Sequence, residues 1–440
     1  MALNRKVMTV VALGMLTSAA GTAHAETLQD AVKYMLQSNP EVRAQYYNKV
    51  AREKEVRQAK AGYLPTIDAS ASAGVARQHE PIFNTVAPAT AVVSVRQNVF
   101  RFFGTQHEVE RQEARARSRE YLLGGTAENN ALLASRVYLN VLRNEKLLAL
   151  AQENLTNHLR IHDQVRLRSE SGVDRRADFE QVKGRLALAQ SNVAAAQANL
   201  DDSLADYQAV VGYLPGELAE PASVAAELPK SKEEAEELAV QGNRTLKSAG
   251  ADLQERKAQH EAAKSLLYPT LDLALDYRWQ KDYNDLPGRR EEFLGTATIS
   301  FNIFNGGWNK ARLGQTRSEV YEAEEILNNT KRQTVQSIRL SWDANKSAQE
   351  RLKFLDDYVK AAAQTADAFA AQWSIGRRTM FDLLDTQAEL INAKASLVNA
   401  QYDQRYAEYR ILNGMSRLLP TLGLQAPDAG GKVTTASSAP

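Results

Sequence analysis

Few residues in this sequence are placed to do chemistry. His158 and His162 stand four apart, which would put two imidazoles on one helical face as metal ligands. No third ligand follows in motif and no HExxH pattern is present, so the pair reads as seam or surface histidines. Gly306-Gly307 lies between a strand-like and a helix-like run but lacks the spacing of either phosphate loop, and so reads as a strand-to-helix bend. No nucleophile elbow, Walker sequence or acid/base pair stands out. The chain has no cysteine, which removes thiolate metal sites, thiol nucleophiles, disulfides and a lipidated cysteine anchor together. Lys+Arg 54 against Asp+Glu 53 gives no electrostatic case for nucleic acid. The expectation is therefore a protein without catalysis, cofactor or metal. What remains is a pair of carboxylates, Asp382 and Asp385, three apart on one helical face behind Gly376. They would draw cations, or they are solvated helix-start carboxylates favoured by the helix dipole.

The elements that must position these residues are of two kinds. Between Leu271 and Trp279 the sequence alternates without a break: Leu271, Leu273, Leu275, Tyr277 and Trp279 on one face, Asp272, Ala274, Asp276 and Arg278 on the other. Three further segments alternate. Phe293, Ala297, Ile299 and Phe301 oppose Thr296, Thr298, Ser300 and Asn302. Ile67, Ala69, Ala71, Ala73 and Val75 oppose Thr66, Asp68, Ser70 and Ser72. Val93, Val95 and Val99 oppose Ser94, Arg96 and Asn98. In a soluble, largely helical protein such strands would lack cover, whereas a bilayer covers an apolar face and a watery lumen the polar one. Four strands cannot close a barrel, because the smallest closures use about eight. An open sheet edge in lipid leaves backbone groups unpaired, so several chains must share one barrel.

In chain order, a basic start at Asn4, Arg5 and Lys6, an apolar run from Val7 to Ala20, and Ala23-His24-Ala25 read as a secretory signal peptide over residues 1–25. No other segment approaches the ~18 apolar residues of a spanning helix. A first repeat over 26–211 comprises a helix, a strand hairpin at about 66–100 and a long helical hairpin at about 105–210. The outgoing helix would be a rod of roughly 90 to 100 Å. Its seams, Leu123, Ala127, Ala134, Val137, Val141, Leu148, Ala151 and Leu155 on one side and Leu132, Leu139 and Leu150 on another, imply neighbours on both flanks. A linker at 212–230 follows. A second repeat over 231–420 carries its strand hairpin at about 270–304 and its helical hairpin at about 308–413. The offset is 204 residues: Pro65-Thr66 and Asp68 recur as Pro269-Thr270 and Asp272, Asn39 as Asn243, Gly172 as Gly376 and Asp178 as Asp382. Residues 421–440 read as a disordered tail.

These features together resemble the TolC-like outer-membrane efflux proteins. The likeness rests on the cleaved signal, the doubled pattern, the junctions Leu64-Pro65-Thr66 and Tyr268-Pro269-Thr270, and the turns Gly172-x5-Asp178 and Gly376-x5-Asp382-Leu383-Leu384-Asp385. The resemblance implies a mostly α protein with membrane β structure, four transmembrane strands and long antiparallel helical hairpins per protomer. It implies a homotrimer whose twelve strands form one barrel and whose helices form a tunnel across the periplasm. It assigns Asp382 and Asp385 to an acidic ring at the periplasmic entrance. Asp178 and Arg378 match positions that latch neighbouring hairpins, with Trp373 standing where a gating tyrosine is often found and Ala177 where a hydroxyl residue occurs. Gly172 and Gly376 would reverse the chain at the hairpin tips. Arg175, Arg176, Arg377 and Arg378 would be an adaptor contact or a soluble rim. The expected role is a passive exit duct for type I protein secretion, working with an inner-membrane ABC transporter or proton-driven pump and a periplasmic adaptor. The alternatives are multidrug or metal-ion efflux and, from another class, a soluble periplasmic coiled-coil scaffold.

Overall fold

The structure, a computed structural model, describes residues 25–78, 84–172, 175–282 and 288–427. The expected signal peptide, apart from Ala25, and the stretch from 428 onward lie outside the described residues. Each half opens with a helix whose start is fixed by a side-chain cap. In the first, α1 (Leu28–Ser38) begins at a reciprocal box in which Thr27 and Asp30 satisfy each other's backbone N–H. Asn39 then caps α2 (Pro40–Lys60) by accepting from Glu41 N–H at 2.9 Å. In the second half, Ser231 caps α5 (Lys232–Gly242) and Asn243 caps α6 (Arg244–Lys264). A 3₁₀ turn ends each of α2 and α6, and Pro65 and Pro269 then force extended backbone into the strands.

The first hairpin is β1 (Thr66–Ala73) and β4 (Ala89–Phe100), extended at its far end by a ribbon of β2 (Ala76–Gln78) and β3 (Asn84–Val86). The second is β5 (Thr270–Lys281) and β6 (Arg289–Ser300). The two join into one antiparallel sheet of order β1-β4-β5-β6. Val99 does not continue the apolar face of β4, because the register shifts between Asn98 and Phe100 and it is Phe100 that comes to face Leu271. Val75 likewise falls outside β1, past Gly74, and Phe301 and Asn302 fall outside β6, which ends at Ser300.

From the sheet run two rods of equal length, α3 (Gly104–Glu170) and α7 (Trp308–Ser374), each of 67 residues or about 100 Å. They return as α4 (Arg176–Val211) and α8 (Met380–Gly414). The main core lies midway along the rods, where Leu28, Val32 and Met35 of α1, packed on α3, share one cluster with the Leu123, Ala127 and Val137 seam of α3 and with Tyr409 and Leu412 of α8. Tyr138 crosses this belt with its hydroxyl 2.7 Å from Glu26 O and 2.6 Å from Ala219 O, stitching the chain start to the 212–230 segment. Residues 421–424, expected in the tail, are part of the fold: α9 (Leu418–Thr421) and Leu424, 0% exposed, close the belt, where the apolar Leu424 joins the main core.

Candidate functional site

Two places carry the polar architecture of this molecule: one face of the sheet and the tips of the rods. On the sheet, cross-strand rows sort into a polar and an apolar face, with exceptions such as Leu294, which ends the Asp276 row, and Gln97, which lies in the Leu273 row. Asp68, Ser94 and Asp276 form one row and Thr66, Arg96, Ala274 and Thr296 the next, then Asn98, Asp272 and Thr298. Ser94 Oγ donates to Asp276, and Asn98 Nδ2 donates to Asp272 Oδ1 at 2.7 Å, so the carboxylates are held along the polar face. The opposite face carries Ile67, Val95 and Leu275 in one row and Ala69, Val93, Tyr277 and Phe293 in another, with Ile67, Val93, Leu275, Tyr277 and Phe293 exposed. Gly295 stands opposite Leu275, whose Cδ2 would lie only 3.2 Å from an added Cβ, so the missing side chain admits the leucine. Strands of 12 residues span about 40 Å, enough to cross a hydrocarbon layer when tilted.

At the tips the chain reverses at Gly172 (φ +77°) and Gly376 (φ +73°), a left-handed backbone that glycine adopts without a Cβ clash. A small core holds the two hairpins together there: Ile161 and Val165 of α3, Val182 of α4, and Met380, Leu383 and Leu384 of α8, with Phe179 and Trp373 packed against it. Around this core the expected site residues take different places. Asp382 is the third residue of α8 and closes a capping box with Thr379, accepting from Thr379 N–H at 3.3 Å and Oγ1 at 2.9 Å. The Thr379 hydroxyl, then its N–H, holds the Asp382 carboxyl below its ordinary range. Asp385, one turn on, accepts from Arg185 Nη2 of α4 at 3.2 Å. Arg378 stays within its own hairpin, donating to Gln372 Oε1 at 3.0 Å, lying 4.1 Å from the Phe369 ring centroid and 3.8 Å from Asp382. It does not meet Asp178, which sits in the first turn of α4 with its N–H on Arg175 O at 3.0 Å. Trp373 receives the guanidinium of Arg168 over its ring at 5.4 Å. Arg175, Arg176 and Arg377 are exposed at the tips.

The contacts that tie hairpin to hairpin were not legible in the sequence. Arg185 with Asp385, and Lys394 with Glu153 at 2.8 Å, join residues 200 and 241 apart in the chain. Only the relative phase of the rods makes them neighbours. The two histidines share no metal geometry. His158 is buried on α3 with Nδ1 unpartnered, burial and then Arg185 pressing its pKa down, while His162 lies against Phe179 with ring centroids 5.3 Å apart. Among the described residues no group of three or more His, Cys, Asp or Glu is arranged to hold a metal, and no helix is long and apolar enough to cross a membrane.

A sequence profile of the outer membrane efflux protein family matches residues 31–213 and 236–414. The chain is 25% identical over 411 residues to outer membrane efflux protein BepC of Brucella suis, covering 92% of this chain and 88% of that one. It is 23% identical to outer membrane protein TolC of Escherichia coli, over 87% of this chain and 80% of the relative. The fold superposes on the Campylobacter jejuni CmeC outer membrane channel with a TM-score of 0.80 at 13% identity, over 94% of both chains.

Proposed function

Because the chain belongs to the outer membrane efflux protein family, and so sits in the outer membrane and extends into the periplasm, we propose that it is one of three identical subunits of a passive exit duct. One observation carries this reading. The four-stranded sheet is apolar on one face and polar on the other, its two outer strands β1 and β6 lack a further strand partner among the described residues, and it runs directly into rods of about 100 Å. Three copies supply twelve strands, their polar rows lining a water-filled lumen and their apolar faces meeting lipid. The exposed Tyr321, Leu340 and Phe354 of α7 support neighbours beside each protomer. Residues 1–25 act as the export signal, and the two halves, 26–211 and 231–420, are copies of one ancestral unit joined by 212–230.

At the periplasmic mouth Asp382 and Asp385 gather by threefold symmetry into a ring that favours cations. Asp178, Trp373 and Arg378 belong to the latch between hairpins, and the exposed arginines 175, 176 and 377 meet a periplasmic adaptor. A duct of this kind has no energy source, so an inner-membrane ABC transporter or proton-driven pump drives it. Type I protein secretion is the first reading, supported by the cysteine-free sequence, which leaves no lipidated anchor, and by the similarity to TolC. Small-molecule or metal-ion efflux is the second, supported by the similarity to the outer membrane efflux protein BepC. Deleting the gene separates them: loss of transporter-dependent proteins from the medium supports secretion, and intracellular dye accumulation with an unchanged medium supports efflux. In planar bilayers the purified protein is expected to give a small, cation-selective conductance. Asp382→Ala with Asp385→Ala is expected to lower the selectivity, and unchanged selectivity in that variant would exclude the acidic mouth.

A further inference from the structure

Glu26 is held through its N–H, its carbonyl and its carboxylate at once. The N–H donates to Glu217 O at 2.8 Å, and the carbonyl accepts from Ala219 N–H at 2.9 Å and from the Tyr138 hydroxyl at 2.7 Å. The carboxylate accepts from the Tyr207 hydroxyl at 2.6 Å and from the Tyr213 hydroxyl on the same oxygen. The two backbone bonds make a parallel bridge between Glu26 and Leu218 that belongs to no sheet. Tyr138 and Tyr207 are fully buried, with ring centroids 6.4 Å apart, and Tyr207 meets Tyr213 edge-on at 6.1 Å. A buried phenol hydroxyl needs an acceptor, and two of these three find theirs in one carboxylate. Aspartate, one methylene shorter, would not reach both. Residues ahead of a first helix ordinarily fray, whereas this one is the centre of a built polar site.

The surroundings of the Glu26 nitrogen are acidic. Burial, then the nearby carboxylates of Glu217 and Glu220, raise the Glu145 carboxyl on α3. Lys146 pairs with Glu220, Tyr402 of α8 donates to that same carboxylate at 2.6 Å, and Arg405 of α8 donates to Pro221 O at 2.8 Å. The carboxylates of residues 26, 145, 217 and 220 thus outnumber the cations Lys146 and Arg405 around residues 217–221. Hydrolysis of the Ala25–Glu26 bond changes this balance. Water adds across the bond, leaving a carboxylate on Ala25 and an ammonium on Glu26, so a neutral donor becomes a charged one with N–H groups to spare. We propose that Tyr138, Tyr207, Tyr213 and the Glu217 carbonyl form a binding site for a free amino-terminal glutamate, and that removal of residues 1–25 supplies the ligand that locks the 212–230 segment across the belt. The tyrosines read the side chain and carbonyl, and the acidic strap reads the new charge. This inference rests on the reading of residues 1–25 as an export signal.

The intact mass of the exported protein is expected to correspond to a chain beginning at Glu26. A chain cut at another bond would overturn the amino-terminal site and leave the export signal standing, whereas an exported chain that keeps residues 1–25 would overturn both. Acetylation of the amino terminus at pH 7, read on the tryptic peptide Glu26–Lys33, is expected to be at least about tenfold slower in the folded protein than in urea. Equal rates would show an unbound amine and overturn the site. Tyr207→Phe with Tyr213→Phe keeps both rings and removes both hydroxyls. It is expected to bring the folded rate to within about threefold of the rate in urea while the belt around Leu412 stays protected from hydrogen exchange. An unchanged slow rate would overturn the tyrosines' part. Ser-Gly inserted between Ala25 and Glu26 leaves every side chain of the site in place but keeps the Glu26 nitrogen an amide after processing, so it decides the matter even where the tyrosine variant does not fold. Hydrogen exchange in residues 217–221 is expected to become about tenfold faster in it than in the native chain. Equal exchange would overturn the role of the ammonium.

Discussion

Glu128 shows how far a single residue can depart from its appearance in the sequence. It sits on α3 next to the seam residue Ala127 and reads as one more charged helix residue, yet it is only 1% exposed. The C-terminal segment folds over it, and Leu419 N–H lies 3.4 Å from each carboxylate oxygen. Burial pushes its pKa up to about 7, opposed by that N–H and by Arg244. Because the folded-state value is raised, its favourable contribution is complete below the ordinary carboxyl value and is lost as pH rises through about 7. Glu128→Gln is therefore expected to stabilise the fold at pH 8 by up to about 3 kcal/mol and to change little at pH 4. Denaturant midpoints at the two pH values measure this, and equal midpoints for both proteins at pH 8 would contradict it. Asp382 is the opposite case. It is the helix-start carboxylate that its position after Gly376 allowed, and its capping box with Thr379 is a local pattern that needs no tertiary partner.

Among the elements, the rods are the most legible part of the chain, because a long heptad-like seam needs only local periodicity to be recognised. Leu123, Ala127, Ala134, Val137, Val141 and Leu148 are buried on α3, whereas Ala151 and Leu155, further toward the tip, are only half-buried. The tip core was not legible. Ile161, Val165, Val182 and Leu384 come from three helices, and no spacing in any one of them announces the others. This core is small and separate from the main belt, so its loss should be felt locally. Leu384→Ala, at a side chain 2% exposed, is expected to cost the tips roughly 2 to 5 kcal/mol. Faster hydrogen exchange in the first turns of α4 and α8, with the belt around Leu412 unchanged, would register it. Uniform protection loss along α8 would show instead that tip and belt unfold together.

At the scale of the whole molecule, the sheet sets the question of assembly. Its edges at β1 and β6 present unpaired backbone, which a membrane does not tolerate and another copy can satisfy. With no native cysteine to interfere, cysteine pairs placed on the two edges, one among Ala69 and Ser70 and one among Ala297 and Thr298, are expected to link neighbouring protomers on oxidation. The cross-linked ladder should end at three chains. A ladder that stops at one chain, or runs on past three, would reject the trimer.

By itself the sequence determined the kinds of element and their order. Period-two and heptad-like alternation, proline junctions, capping residues and a constant 204-residue offset are all written in neighbouring or regularly spaced positions. Tertiary structure alone decided which side chains meet. Arg185 of one hairpin reaches Asp385 of the other, Phe100 turns to the apolar face through a register shift, and Leu424 belongs to the core instead of a tail. The physical reason is common to all three. Periodicity fixes the face of a helix or strand on which a residue lies, whereas the rotation and slide of one element against another depend on how whole surfaces pack.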